Sequence, residues 1–305
     1  MMQRETQKSL LNDLFVRGDK SIPENFMRRI FRLITLPNGT TKNTWPGRLD
    51  ELNTSVQPHL TRATPLEIKD IAVSSGISTL EWAHFLNKNN VSARITATDL
   101  YVSAYLVRVS PSLSVLCDGS LEPMLIESGK TYFRTSFPKG SLRRYWGKIL
   151  SKAVRALWIG NAAPGEKTGK GKTMTPVELI VPGIKKEEGI SFMEEDILAD
   201  PPAGEISKYD VIRAANILNR VYFSESNLRK IISNLAEQLK PGGLLVVSKT
   251  DEGGTNHASI VVKEENRFTL LEDLNGGSEI RDLILSCTSL PFTVFNCTLI
   301  TEERD

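Results

Sequence analysis

The chain has few of the residues that build a metal site or a disulfide framework. Its 305 residues include three histidines and three cysteines, Cys117, Cys287 and Cys297. The cysteines are odd in number and show no Cys-x-x-Cys spacing, which argues against a disulfide framework and against a structural zinc site. We therefore predict that the protein holds no metal.

The sequence also lacks a long apolar run and a large net charge. No run approaches the roughly 18 apolar residues that a membrane-spanning helix needs, and the polar residues 1–8 are not followed by the apolar stretch of a signal peptide. The formal net charge of +2 predicts no overall attraction to nucleic acid. These absences predict a cytoplasmic globular protein.

Short β-rich runs alternate with helical runs from residue 68 onward, whereas residues 1–65 suggest two or three helices. Alternation of this kind predicts a mostly parallel sheet with helices on both faces, a doubly wound α/β fold. We divide the chain into a helical N-terminal extension, 1–65, and a main domain, 66–305, with a lid-like insertion over 102–189. Within the insertion, the β-rich runs 113–116 and 131–133 or nearby residues predict a hairpin. A second predicted antiparallel hairpin lies near the C-terminus.

Residues 66–99 read as a strand, a turn of small residues, a helix and a second strand. Small residues in the turn 72–76 allow a ligand to approach the backbone, and the helix that follows offers unpaired N–H groups. Asp99 follows Gly76 by 23 residues (99 − 76), at the tip of the second strand, where a carboxylate can accept both ribose hydroxyl protons. This unit predicts a nucleoside site.

The composition of the turn favours one cofactor over another. A dinucleotide enzyme needs G-x-G-x-x-G to admit the pyrophosphate, and only Gly76 is present here, which disfavours a nicotinamide-dependent oxidoreductase. Asp70, Ala72, Ser74 and Gly76 instead match the S-adenosylmethionine motif, an acidic residue followed by small residues at alternate positions. Two of its three glycines are replaced, a loss that a ligand without pyrophosphate tolerates more easily.

Three further segments follow in order. Asp196 comes just after a short predicted strand, where it could accept a hydrogen bond from an adenine amino group, and another strand leads to Asn216 at its tip. A helix end, a tight turn and an apolar strand then occupy 239–247. Together with the first unit, this set resembles the class I S-adenosylmethionine-dependent methyltransferases over residues 66–250.

The resemblance has a finer, local component. The stretches 97–100, 195–202 and 216–223 are similar to the chemotaxis-receptor glutamate methyltransferases. The superfamily resemblance implies a Rossmann-like doubly wound sheet and S-adenosylmethionine as cofactor. It also implies the following contacts: Asp70, Ala72, Ser74 and Gly76 at the methionine, Asp99 at the ribose, Asp196 and Ile197 at the adenine, and Asn216 beside the sulfonium.

The sequence indicates less about the methyl acceptor than about the cofactor. Enzymes that methylate nucleobase or glutamine nitrogens usually carry Asn/Asp-Pro-Pro-Tyr/Phe after the fourth strand, where this chain has Ala215-Asn216-Ile217-Leu218. His257 suits a general base because its ordinary pKa lies near neutrality, although a histidine that satisfies a backbone group at the entry of a hairpin is the slightly favoured alternative. The acceptor-side candidates are Arg213, Tyr222 and His257, with Asn219, Asp251 and Glu252 nearby.

Two alternatives therefore stay open. The first is a methyltransferase that acts on a small molecule or a protein carboxylate. The second is a catalytically silent protein of the same fold that binds a nucleoside or a partner, because the lost glycines fit either. The oligomeric state is not predicted by any pattern in the chain.

The insertion carries a concentrated positive charge. Residues 130–172 contain eleven Lys or Arg and one acidic residue, Glu166. Within them, 141–158 predicts an amphipathic helix with basic residues on one face. Such a helix could be a cap over the active site, a peripheral contact with anionic lipid or a nucleic-acid patch. The cap is the favoured interpretation, and nucleic acid the least favoured.

Overall fold

The computed structural model describes residues 9–19, 21–37, 39–42, 44–60, 65–135, 149–159, 173–265 and 267–287. Within these ranges the chain forms two β-sheets with helices packed on them. The strands are β1 Leu66–Ile71, β2 Ala93–Asp99, β3 Ser103–Ser110, β4 Leu113–Cys117, β5 Pro123–Ser128, β6 Thr131–Arg134, β7 Thr173–Glu178, β8 Ile190–Glu194, β9 Tyr209–Ala215, β10 Leu239–Thr250, β11 Asn256–Lys263 and β12 Phe268–Leu274.

The helices lie before the first sheet strand, between strands and near the end of the described chain. None of those within the described ranges is long and apolar enough to cross a membrane. They are Leu10–Asn12 continuing as a π-helix over Asp13–Arg17, Glu24–Leu33, Asp50–Val56 with a 3-10 turn at Gln57–His59, Ile77–Lys88, residues 149–154 continuing into Arg155–Ile159, Glu225–Gln238 and Arg281–Ser286.

The central sheet has seven strands in the order β12-β11-β10-β9-β1-β2-β8. Five of them, β8-β2-β1-β9-β10, pair in parallel, and their order along the sheet is 3-2-1-4-5 by position in the chain. β11 and β12 add an antiparallel hairpin beyond β10. The predicted doubly wound α/β fold and its C-terminal hairpin are confirmed. The strands β2 and β8 lie on one side of β1, and the later strands β9 and β10 lie on its other side. The order of the strands therefore reverses at β1 and β9, whose carboxyl ends flank a topological switch point.

Both faces of the central sheet are covered, as a parallel sheet requires. One face packs against the helices Asp50–Val56 and Ile77–Lys88, with Trp82 fully enclosed among side chains of β1 and β2. The other face packs against Glu225–Gln238, a helix that begins where the Ser224 hydroxyl accepts a hydrogen bond from the Asn227 amide at 3.3 Å. This two-sided burial holds the strand ends of the switch point in place.

The insertion folds as a second sheet, with five antiparallel strands in the order β6-β5-β4-β3-β7. We expected residues 113–116 to pair directly with 131–133, and that pairing is wrong because β5 lies between them. The missed turn is built by Asp118, whose Oδ1 accepts hydrogen bonds from the amides of Ser120 at 2.9 Å and Glu122 at 2.8 Å. In an Asx turn of this kind, the aspartate side chain accepts hydrogen bonds from the amides that follow it and so stabilises the reversal of the chain.

The N-terminal extension packs on this second sheet. Leu14 and Phe31 share a buried cluster with Leu106, Leu116 and Leu125. The described part of the insertion therefore forms a sheet that shares a buried core with the N-terminal helices. The physical reason is the apolar content of β3, β4 and β5, which is covered by the N-terminal helices.

The predicted amphipathic helix 141–158 lies partly outside the described residues, as do residues 160–172 of the adjoining loop. Residues 149–159 are helical. Val154 is buried against β4 and β5, while Leu157 is 70% exposed. Arg155 forms an ion pair with Glu122, so this end of the helix is attached to the second sheet.

Candidate functional site

The turn after β1 has an unusual backbone. Ala72, Ser74 and Gly76 have φ values of 56°, 62° and 81°, in the left-handed region that non-glycine residues disfavour by roughly 1–2 kcal/mol each. At Gly76 a Cβ atom would lie 3.0 Å from Ile184 Cδ1 and 3.2 Å from Phe192 Cζ. The turn is therefore tightly curved and packed from outside, as the sequence of small residues predicted.

Asp99 lies at the end of β2 and is hydrogen-bonded to this turn. Its Oδ2 accepts a hydrogen bond from the Ser74 amide at 2.7 Å, and its Oδ1 accepts one from the Tyr101 amide at 3.1 Å. The predicted ribose carboxylate thus stands beside the predicted methionine turn. The sequence spacing of the first unit placed both groups correctly relative to each other.

A lysine that the sequence did not single out completes this cluster. Lys42 Nζ donates hydrogen bonds to Asp99 Oδ1 at 3.1 Å and to the Ser74 carbonyl at 2.9 Å. Its side chain is 1% exposed. Burial lowers the pKa of Lys42, and the Asp99 carboxylate opposes that shift. No local pattern around Lys42 signals this role, because the contact is made with residues far along the chain.

Three buried hydroxyl groups near the turn have no hydrogen-bond partner within the described ranges. They are Ser74 Oγ, Ser78 Oγ and Thr98 Oγ1. Buried hydroxyls are nearly always paired with protein or ordered water, so these three groups retain the capacity to bond a polar partner.

Asp70 and Arg213 have a different role from the predicted ones. Arg213 Nε and Nη2 donate to Asp70 Oδ1 and Oδ2 at 3.0 and 2.6 Å, and Thr79 Oγ1 donates to Asp70 Oδ2 at 2.7 Å. Arg213 is 1% exposed and Asp70 is 3% exposed. The structure therefore does not place Arg213 where a methyl acceptor could reach it, and the Asp70 oxygens are occupied by protein donors.

Asn216 lies at the tip of β9, with φ 61°. Its Oδ1 accepts a hydrogen bond from the Thr250 amide at 2.7 Å, and its Nδ2 donates to Thr250 Oγ1 at 3.1 Å. Thr250 Oγ1 donates in turn to Asn256 Oδ1 at 2.8 Å. This network joins the ends of β9, β10 and β11 at the switch point, so Asn216 is at the predicted edge but is tied to its neighbours.

Asp196 and Ile197 lie beyond the end of β8. Asp196 is exposed, and its Oδ1 accepts a hydrogen bond from the Leu198 amide at 3.0 Å. Ile197 packs against the core on the face of the helix Glu225–Gln238. The loop is therefore ordered by its own contacts, and its position next to β2 agrees with the predicted order of segments.

The two remaining acceptor-side candidates are exposed. Tyr222 is 54% exposed. His257 lies on β11 next to Asn256, and because neighbouring residues of a strand point to opposite faces, it is directed away from the Asn216 network. His257 Nδ1 contacts the Asn275 carbonyl at 2.5 Å and Nε2 contacts Asp251 Oδ2 at 3.2 Å. The Asn275 carbonyl and then Asp251 raise the pKa of His257.

A metal centre is not formed by the described side chains, among which no group of three or more His, Cys, Asp or Glu could hold an ion.

No family model matches the sequence. No curated protein matches it either.

Solved structures similar to this chain include S-adenosylmethionine-dependent methyltransferases. The CMeT domain of the citrinin polyketide synthase is 15% identical, with a TM-score of 0.35 over 67% of this chain and 35% of that one. The N-methyltransferase NodS from Bradyrhizobium japonicum WM9, in complex with S-adenosyl-L-homocysteine, is 16% identical, with a TM-score of 0.33 over 74% of each chain. A methyltransferase from Methanosarcina mazei is 15% identical, with a TM-score of 0.30 over 67% of this chain and 57% of that one.

The chain spans about a third of the length of the polyketide synthase domain. At these identities and TM-scores, the likeness supports no inference about reaction or substrate, and the fold assignment rests on the strand order itself. The finer resemblance to chemotaxis-receptor methyltransferases gains nothing from these comparisons and stays a hypothesis.

Proposed function

We propose that this chain is an S-adenosylmethionine-dependent methyltransferase that acts on a small molecule or a protein carboxylate. The observation that carries the proposal is the hydrogen bond between Asp99 Oδ2 and the Ser74 amide, 2.7 Å long, at the switch point of a 3-2-1-4-5 sheet. Ligands of open α/β sheets bind in this crevice, outside the carboxyl ends of the strands. The motif order along the chain supports the choice of cofactor.

The residues at the strand ends divide the work of binding. The Asp99 carboxylate would hold the ribose hydroxyls, and the backbone and hydroxyl of Ser74 would face the methionine portion. Asp196 and Ile197 would flank the adenine, and Asn216 would border the reacting end of the site.

S-adenosylmethionine supplies an already activated methyl group when bound, so the protein needs chiefly to align acceptor and donor. Alignment of well-oriented partners contributes up to ~7–11 kcal/mol to lowering a barrier. A base is needed only for an acceptor that must lose a proton. Tyr222 and His257 are the exposed candidates for that side, and a carboxylate acceptor would require neither.

A second candidate function is a catalytically silent protein of the same fold. The Lys42–Asp99 ion pair favours it, because an ammonium group already occupies hydrogen-bonding capacity that the ribose would use. Such a protein would bind a nucleoside without transferring a methyl group, or would bind a partner with its basic insertion as the interaction surface. The ion pair favours the partner-binding form.

Calorimetric titration of the purified chain decides between the two. S-adenosylmethionine and S-adenosylhomocysteine are the test ligands, and NAD and ATP are the controls. Micromolar affinity for the first pair alone supports the methyltransferase. Absence of binding to all four, in wild type and in the Lys42 variant described below, supports the silent protein.

A further inference from the structure

Lys42 makes the contacts that a nucleoside ligand would otherwise make at this edge. Its ammonium group lies between Asp99 Oδ1, at 3.1 Å, and the Ser74 carbonyl, at 2.9 Å. Two donors of one group thus join the carboxylate at the end of β2 to the backbone of the first turn. Vicinal ribose hydroxyls would donate to the carboxylate oxygens of Asp99, and the Lys42 ammonium already occupies one of them, Oδ1.

The segment that carries Lys42 is attached to the domain at points beyond it. The Gly47 amide donates to Glu81 Oε1 at 2.8 Å, and Asn256 Nδ2 donates to the Arg48 carbonyl at 2.7 Å. Further along, Arg213 Nη1 donates to Asn53 Oδ1 at 2.9 Å. Because these contacts do not involve Lys42, its side chain can leave Asp99 while the rest of the segment stays bound.

The energetics of the Lys42 position are balanced between two effects. Burial of an ammonium group costs free energy unless its hydrogen bonds and its charge partner compensate. When the side chain moves to solvent, the ammonium regains hydration, and Asp99 needs new donors. A ligand with hydroxyl groups supplies those donors, so the Asp99 carboxylate is hydrogen-bonded both before and after displacement.

We propose that Lys42 is a built-in competitor for the ribose-binding position, so that a nucleoside binds only by displacing the Lys42 ammonium from Asp99. The inference rests on the proposed function for the identity of the ligand as a nucleoside. It assigns Lys42 as the residue that sets the affinity of the site. The affinity measured for wild type is the intrinsic affinity multiplied by the fraction of molecules with Lys42 withdrawn.

Amine labelling of the wild-type chain tests displacement directly. Lys42 is 1% exposed, whereas Lys230, on the helix Glu225–Gln238, is about half exposed and pairs with Asp200. Acetic anhydride followed by peptide mass spectrometry should label Lys42 at least about tenfold more slowly than Lys230 without ligand. Saturating adenosine or S-adenosylhomocysteine should abolish most of that difference. Continued protection of Lys42 with ligand bound overturns the proposal.

Two matched variants provide the second test, with circular dichroism to establish that each is folded. Lys42→Met removes the competing ammonium at similar side-chain length, and Lys230→Met makes the same charge change at an exposed position that does not contact Asp99. Lys42→Met should bind S-adenosylmethionine at least about tenfold more tightly than wild type, as expected if nine tenths of wild-type molecules are closed. Lys230→Met should bind like wild type.

The outcomes separate the two proposals. Equal affinity of Lys42→Met and wild type for S-adenosylmethionine overturns the competitor and leaves the methyltransferase standing. Tighter adenosine binding by Lys42→Met, without any binding of S-adenosylmethionine, supports the competitor and overturns the methyltransferase. If neither chain binds either ligand, both proposals fall. Should Lys42→Met not fold, the labelling of wild type still decides the matter.

Discussion

Arg213 and Asp70 form a two-pronged ion pair beneath the first turn, with an Nε to Oδ1 distance of 3.0 Å and an Nη2 to Oδ2 distance of 2.6 Å. The pair joins β9 to β1 at the switch point. The guanidinium carbon also lies 3.9 Å from the centre of the Trp82 ring. Charge, hydrogen bonds and stacking together fix the two strands on either side of the candidate site.

Removal of one partner of this pair should destabilise the whole domain. Asp70→Asn or Arg213→Met leaves a buried charge without compensation, a change that costs about 3–5 kcal/mol. Denaturant unfolding measures it. Arg229→Met is the control, because Arg229 pairs with Glu225 on an exposed helix surface, where such pairs contribute about 0–1 kcal/mol. An Arg213 variant of normal stability that had lost activity would return Arg213 to a catalytic role.

Gly76 should be sensitive to an added methyl group for two separable reasons. Its φ of 81° disfavours any side chain, and a Cβ would lie 3.0 Å from Ile184 Cδ1. Gly242 has a similar φ of 77° with nothing within 4 Å of its Cβ position. Gly242→Ala should therefore cost only the backbone penalty of about 1–2 kcal/mol. Gly76→Ala should cost more, and the difference in unfolding free energy measures the packing of the turn. Equal losses of unfolding free energy in the two variants would mean that the Ile184 side chain moves aside without a measurable cost.

Asp99 is the residue whose replacement should affect ligand binding most. Asp99→Asn weakens the acceptor for ribose hydroxyls and leaves the Lys42 ammonium without its charge partner, so binding and stability change together. The double variant Asp99→Asn with Lys42→Met removes the second effect. We expect the double variant to regain stability relative to Asp99→Asn and still to bind S-adenosylmethionine more weakly than Lys42→Met. Undiminished affinity in the double variant would contradict the assignment of Asp99 to the ribose.

His257 should titrate above the ordinary histidine value. The Asn275 carbonyl and Asp251 both favour the protonated ring and raise its pKa. A raised pKa in the folded state means that the stabilisation is fully present below the unfolded value of about 6.5 and is lost as the pH rises through the folded pKa. If His257 is the general base, the rate should increase through that same higher pKa.

NMR titration of the imidazole checks this expectation. Asp251→Asn should lower the His257 midpoint, though not abolish the shift, because the Asn275 carbonyl is the larger cause. Glu252→Gln is the control for the charge change. A midpoint at or below about 6.5 in wild type would refute the assigned hydrogen bonds.

The sequence predicted the elements whose signals are local. The small-residue turn at 72–76, the strand end at Asp99 and the apolar strand β10 follow from spacing and composition within short windows, and each lies where expected. The strand β5 was missed although Asp118-Gly119 before it is a local turn signal, because we paired β4 with a later β-rich run, whereas β5 lies between them and pairs with both β4 and β6.

The contacts that define the site could not be read in this way. Lys42 reaches Asp99 across 57 positions of sequence, and Arg213 reaches Asp70 across 143. The residues next to Lys42 and Arg213 in the sequence form no pattern that would indicate these contacts. The sequence predicted a strand that leads to Asn216, but the partner that buries Arg213 is set by tertiary packing.

Glu127 offers a test of how the N-terminal extension is attached to the insertion. It is fully buried on β5, accepts a hydrogen bond from the Leu10 amide at 2.7 Å and is bonded to the Ser9 hydroxyl. In Glu127→Gln the side-chain NH2 group would face the Leu10 amide or the Ser9 hydroxyl, which are donors to Glu127. We expect the substitution to lower the free energy of unfolding by about 1–3 kcal/mol. Glu122→Gln, at an exposed position paired with Arg155, should cost about 0–1 kcal/mol.

Hydrogen exchange locates the effect of Glu127→Gln. If the glutamate anchors the extension, the amides of 10–17 should exchange faster in Glu127→Gln while those of β1 and β9 keep their protection. A double-mutant cycle with Ser9→Ala should show coupling, because the two side chains are in contact. Faster exchange throughout the central sheet would instead mean that the two sheets unfold as one unit.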